Sequence, residues 1–239
     1  MPSTFVLKPG PLRLADLNRL ACDHAAQISL DAGAALDQSA AVVAERTATG
    51  ERIYGVNTGF GRLAESVVPA DQMSELHHRL VLSTAAGVGN LLPDETVRLC
   101  LILKINALAQ GYSGIRAVVV EGLLNLLNRN AYPCVPEKGS VGASGDLAPL
   151  AHLVLPLIGS GELRINGTVM PAVEGLARIG MKPIRLAAKE GLALINGTQV
   201  STALAIEGLL AAEDVFLTGL AAVFCLVYLT WALLRPEDL

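Results

Sequence analysis

Residues 143–145, Ala143-Ser144-Gly145, can make an electrophile out of their own backbone. The amide nitrogen of Gly145 attacks the carbonyl carbon of Ala143 and closes a five-membered ring. Loss of two waters, one of them carrying the Ser144 hydroxyl, leaves an exocyclic methylidene. Gly145 must lack a Cβ for its nitrogen to approach a carbonyl two residues back. Ser144 supplies the leaving hydroxyl, and Ala143 adds little bulk. No standard side chain offers a comparable electrophile. The same three residues are also an ordinary small-residue turn, so their surroundings decide between the two readings.

Those surroundings are Gly139-Ser140-Val141-Gly142-Ala143-Ser144-Gly145-Asp146-Leu147-Ala148-Pro149-Leu150-Ala151-His152. This run resembles the signature of the aromatic amino-acid ammonia-lyases, with the histidine branch the nearest. Three more blocks carry the resemblance in family order. They are Tyr54-Gly55-Val56-Asn57-Thr58-Gly59-Phe60-Gly61, then Lys104-Ile105-Asn106-Ala107-Leu108 with Gly111-Tyr112-Ser113-Gly114-Ile115-Arg116, then Lys189-Glu190-Gly191-Leu192-Ala193-Leu194-Ile195-Asn196-Gly197-Thr198-Gln199. Together they cover about residues 5–222.

The resemblance implies a methylidene-imidazolone prosthetic group formed autocatalytically from Ala143, Ser144 and Gly145, with no metal. It implies Tyr54 as the base that removes the β-proton, and Asn196 as a substrate-binding amide beside the prosthetic group. A tyrosine has an ordinary pKa of about 10 and needs a stabilising environment to act as phenolate near neutrality; otherwise it is a structural residue of its turn. Asn196 before Gly197 also fits a left-handed turn. Asp146 either polarises groups during ring closure or caps the helix that starts near Leu147. His152 reads as a packing or supporting residue within that helix.

Two departures stand out. Thr84, in Leu80-Val81-Leu82-Ser83-Thr84-Ala85-Ala86-Gly87, occupies the place where histidine ammonia-lyases carry a histidine that contacts the substrate ring. Thr offers one hydroxyl and no imidazole, which leaves open which small aromatic amino acid is bound. Family members are also roughly twice as long. Their second halves supply a carboxylate-binding arginine, a second tyrosine and a glutamate, and residues 224–239 no longer follow the family. Truncation or a frameshift is the expectation, with the chain inactive alone; Arg116, Arg129 and Lys189 are the substitutes to consider for the missing cation.

Of the 239 residues, 52% are hydrophobic, enough for one or two domains with a real core. A net charge of −4, no basic patch and 4% aromatics speak against nucleic acid as a partner. Cys22, Cys100, Cys134 and Cys225 form no metal spacing and read as buried thiols of a reducing compartment. His24, His77, His78 and His152 also lack a metal pattern. No signal peptide opens the sequence, so a cytoplasmic location is expected.

The elements that must position these residues are mainly helices. Pro11 opens a Leu-patterned helix, and Asp37 caps an Ala-Val run ending near Gly50. Residues 71–82 are amphipathic. Pro93-Asp94-Glu95 starts a helix with acidic residues against its dipole. Residues 113–128 and 188–210 follow, the latter broken near Asn196-Gly197. Residues 162–170 alternate around Asn166-Gly167 as a hairpin. The fold class is mainly α, the N-terminal part of an ammonia-lyase-like fold. Residues 1–187 are expected to carry the Ala-Ser-Gly loop, and residues 188–239 to begin a central helical bundle.

The uncharged run 215–234 has the length and composition of a membrane span. A core helix of a large bundle has the same signature, and that reading is preferred, so no membrane partner is expected. The resemblance implies a homotetramer and the conversion of histidine to urocanate and ammonia. The alternatives are a tyrosine or phenylalanine ammonia-lyase or aminomutase, and a non-catalytic remnant.

Overall fold

A computed structural model describes residues 4–59, Gly61 and residues 64–234, with side chains described through Trp231. Phe60 of the Tyr-Gly segment, residues 1–3 and the Arg235-Pro236 end of the apolar tail lie outside the described residues. Two compact units are present, residues 1–203 and residues 204–239.

The first unit is built around helix α4 (Asp94–Ala109). Its sequence is apolar on every face, so it can be stable only when surrounded. Val97, Leu99, Leu101, Ile102 and Ile105 are all at most 1% exposed. Around it pack α1 (Leu14–Cys22), α2 (Ala35–Ala48) and α5 (Ala117–Asn128). Pro93 precedes α4, and Asp94 and Glu95 stand in its first turn, as the charge pattern predicts.

Two cations of α4 are fully buried, Arg98 and Lys104. Each is directed at the carbonyl ends of neighbouring helices, where backbone acceptors lack partners. Arg98 donates to Leu20 O at 2.6 Å, to Asp23 O and Ala26 O at 3.1 Å, and to Leu127 O at 3.3 Å. It thereby joins the C-termini of α1 and α5. Lys104 does the same for α8 (Glu190–Ile195).

Short strands close the edges. β1 (Thr4–Leu7) and β2 (Gln27–Leu30) pair in parallel with α1 as the crossover, Leu7 opposite Leu30. β3 (Val88–Leu91) pairs antiparallel with β5 (Pro136–Lys138). β4 (Ala131–Pro133), β6 (Glu162–Ile165) and β7 (Thr168–Pro171) form an antiparallel sheet, whose β6–β7 turn is the anticipated Asn166-Gly167. The remaining helices are α3 (Met73–Thr84), α6 (Leu147–Val154), α7 (Ala172–Arg178), α8 (Glu190–Ile195) and α9 (Gln199–Leu234).

Three local expectations are corrected. α1 begins at Leu14, with Arg13 at its N-cap, rather than at Pro11. Asp37 lies inside the first turn of α2, whose N-cap is Ala34, so it meets the helix dipole instead of capping. Cys22 and Cys225 are exposed; only Cys100 and Cys134 are buried thiols.

The second unit is the body of α9 beyond Ala203. Every side chain from 211 to 231 is exposed, Val215 by 73% and Phe216 by 69%. A window of mean hydropathy 1.9 within residues 190–231 has none of its side chains buried. This is the open apolar surface that the composition anticipates for an isolated chain.

Candidate active site

The Ala-Ser-Gly loop is pinned at both ends. Strand β5 leads into it, α6 leads out, and Asp146 sits at the N-cap position of α6. The Asp146 side chain makes no capping bond to that helix. Its buried carboxylate instead accepts from Ser140 Oγ at 2.8 Å, from Ser201 N at 2.7 Å and from Ser201 Oγ at 2.5 Å. The capping alternative is thus set aside: two serines outcompete the helix for the carboxylate. The backbone of Asp146 is held as well, its N–H donating to Gly197 O at 2.7 Å.

Between Ser140 and Asp146 the loop is open to solvent. Residues 141–144 are exposed, while Gly145 is buried. Gly145 has φ +115°, and a Cβ there would stand 3.1 Å from Gly197 N and C, and closer still to the Gly197 carbonyl oxygen. Only glycine fits. The three residues therefore suit the cyclised prosthetic group on geometric grounds. The nitrogen that would attack belongs to a residue without a side chain, its conformation is one other residues rarely adopt, and Ser144 is exposed. Among the described residues, no group of three His, Cys, Asp or Glu side chains could hold a metal ion.

Asn196 follows α8 directly and is exposed, adopting an extended conformation of φ −91°, ψ 129° rather than the left-handed turn conformation. Gly197 takes the unusual backbone, φ +143°. The structure thus brings the Asn196-Gly197 turn against Gly145-Asp146. Lys104 lies behind the same turn, donating to Ala193 O at 2.9 Å and to Asn196 O at 2.8 Å. Burial pushes its pKa down to about 7. Beside Gly197, Gln199 Oε1 is buried without a hydrogen-bond partner.

Tyr54 is 62% exposed on a turn held from within. Asn57 Oδ1 accepts from Ile53 N at 2.8 Å and its Nδ2 donates to Glu51 O at 2.7 Å, while Thr58 Oγ1 accepts from Gly55 N at 3.2 Å. His77 of α3 connects this turn to α8. Its Nε2 accepts from Lys189 N at 2.7 Å and lies 3.1 Å from Val56 O. A nitrogen cannot serve both contacts at once. The shorter one makes it an acceptor and places the proton on Nδ1, which is buried and has no partner.

Thr84 ends α3, half-buried, and its hydroxyl donates back to Leu80 O at 2.7 Å. Just beyond, Gly87 N donates to His152 Nε2 at 3.0 Å, so His152 ties the Thr84 segment to α6 and the reactive loop. Burial lowers the pKa of His152 and favours the neutral, accepting form. Arg116 is not available for a substrate carboxylate. Its guanidinium holds the buried Glu190 through Nε at 2.8 Å and Nη2 at 2.7 Å. Ala187 N donates to the same carboxylate at 2.6 Å.

Sequence reasoning named the reactive triplet, Tyr54, Asn196 and Asp146, but missed Lys104, His77, Ser140 and Ser201 as their supports. Lys104 and Ser140 stand in quoted motif blocks, which was the available signal. Ser201 and His77 carried none.

Residues 12–229 match the aromatic amino acid lyase family model, and the chain belongs to that family. It is 53% identical over 215 residues to a histidine ammonia-lyase of Idiomarina loihiensis, covering 90% of this chain and 42% of that protein. The structure is similar to that of histidine ammonia-lyase from Trypanosoma cruzi, with TM-score 0.81 and 36% identity over 89% of this chain and 41% of that one. Phenylalanine aminomutase from Pantoea agglomerans is similar with TM-score 0.84 and 33% identity over 90% of this chain and 42% of that one. The chain spans about 42% of the length of the curated relatives it matches.

Proposed function

We propose that this chain is the electrophile-forming part of a histidine ammonia-lyase, converting L-histidine to urocanate and ammonia. One observation carries the reading. Buried Asp146 ties Ser140 to Ser201 and leaves residues 141–144 exposed, in a chain about half identical to histidine ammonia-lyases.

The reaction must expel a poor leaving group from the α-carbon and remove a weakly acidic β-proton. The methylidene-imidazolone from Ala143, Ser144 and Gly145 supplies an electrophile for the first task. Tyr54 takes the β-proton, its turn fixed by Asn57 and Thr58. The Asn196 amide orients the substrate, and Asp146 holds the loop in register for closure. Catalysis gains from holding these groups in register. No residue here matches the family arginine for the substrate carboxylate, and Arg116 is committed to Glu190. The chain alone is therefore expected to be silent toward histidine. A cytoplasmic homo-oligomer, a tetramer by resemblance, completes the reading, and the open apolar surface of residues 211–231 supports association.

A tyrosine or phenylalanine substrate is the second reading, favoured by Thr84, whose hydroxyl is turned to Leu80 O. Two measurements test the pair. Intact mass of the purified chain should be lower than its sequence mass by two waters, and Ser144→Thr should not yield the simple methylidene. An unmodified mass in folded protein counts against the proposal. In a whole-length protein carrying this segment, Thr84→His should raise histidine turnover about ten- to hundredfold. A rise for tyrosine or phenylalanine instead favours the second reading.

A further inference from the structure

The Lys104 ammonium is 1% exposed, and among the described residues no carboxylate lies within ion-pair distance of it. Leaving a cation so buried is costly unless other groups replace its hydration. Here the replacement is the C-terminal end of α8. Ala193 O and Asn196 O accept from Nζ at 2.9 and 2.8 Å, at the negative end of that helix. The Ala193 carbonyl, buried where it meets Lys104, is one of the helix-end acceptors that need a donor from outside the helix.

The consequence runs one peptide further. Asn196 is bonded to Gly197, whose carbonyl accepts from Asp146 N at 2.7 Å and lies directly against Gly145. Gly197 itself is crowded by the Gln199 side amide, which a Cβ on Gly197 would strike. The turn thus has α4 on one side and the reactive loop on the other. α4 buries eleven of its sixteen residues, a packed base for a lysine to anchor from.

We infer that Lys104 is a positioning residue for the Ala-Ser-Gly loop: from α4 its ammonium fixes the Asn196-Gly197 turn, and that turn sets Gly145 and Asp146. The consequence for ring closure rests on the lyase reading; the local geometry does not. A glutamine at this position keeps two donors but carries them one bond nearer α4 than the lysine Nζ.

The test compares the purified 239-residue chain with Lys104→Met by native-state hydrogen exchange at single amides. The Asp146 and Ser201 amides, which close the loop, should exchange at least about tenfold faster in the variant, while α5 amides keep their rates. The fraction of protein that has lost two waters should fall in the same sample. An unchanged Asp146 amide overturns the inference, and so does uniform acceleration across α5, which would make Lys104 a general core residue. If Lys104→Met does not fold, Lys104→Gln retains two uncharged donors and should show acceleration confined to the same amides. Failure of both to fold overturns the inference too. A wild-type chain that never loses water, yet whose Asp146 amide responds to Lys104→Met, removes the lyase reading and leaves the positioning role standing.

Discussion

Ser201 meets Asp146 twice, through its backbone N–H on Oδ2 at 2.7 Å and its hydroxyl on Oδ1 at 2.5 Å. With Ser140 on the same carboxylate, Asp146 is fully engaged as a clasp. It holds the entry to the reactive loop, its exit and the first turn of α9 in one hydrogen-bonded cluster.

Removing that clasp should be expensive. Hydrogen bonds to a charged group contribute roughly 1.5–3 kcal/mol each and are not additive, so Asp146→Ala is expected to cost about 3 kcal/mol. Urea denaturation at pH 7 measures it. The same variant should show no loss of water by mass, whereas Ser201→Ala, which keeps the backbone donor, should lose only part of both.

Gly145→Ala tests the close approach to Gly197. Backbone strain of about 1–3 kcal/mol at positive φ adds to the collision with the Gly197 carbonyl. The expected result is a folded but destabilised chain of unmodified mass. A dehydrated Gly145→Ala protein would contradict the account of the loop given above.

The depressed pKa of Lys104 has a defined sign. The folded value is about 7 and the unfolded value about 10.4, so the unfolded chain binds the extra proton between them. Stability from this group is complete above about pH 10 and is lost as pH falls through about 7. Against Lys104→Met, the wild-type chain should gain stability from pH 7 to pH 10, read as a rising urea midpoint.

His77 makes the opposite end of neutral pH interesting. Burial lowers its pKa, so its contribution is present above the unfolded value of about 6.5 and lost as acid protonates it. Protonation also puts a hydrogen on Nε2, where Lys189 N already donates. His77→Gln can accept from Lys189 N and donate to Val56 O with different atoms. It should fold at pH 7 and lose less stability between pH 7 and pH 5 than the wild type, as measured by chemical denaturation.

Helices with strong local signals were legible in the sequence: Asp94-Glu95 after Pro93, the break at Asn196-Gly197, the Asn166-Gly167 hairpin. The family motifs singled out the triplet, Tyr54 and Asn196 as candidates. What was hidden depends on distance along the chain. β1 pairs with β2 through a crossover that four-residue strands do not announce. Asp146 looks like a cap in a linear reading because the competing serine is 55 residues away. Lys104 in an apolar helix gives no hint that its partners are carbonyls of α8, and His77 next to His78 gives none that one is buried and the other not.

The separation between Asp146 and Ser201 also orders events in time. During synthesis the triplet emerges well before the serine that locks it, and before the Gly197 carbonyl on which Gly145 rests. A nascent chain stopped short of residue 201 has the Ala-Ser-Gly residues but not the Ser201 contacts that hold Asp146 beside them. An electrophile made too early would meet every thiol and amine in its surroundings. On the proposed lyase reading, a lock placed downstream of the loop would make completion of the fold the trigger for cyclisation.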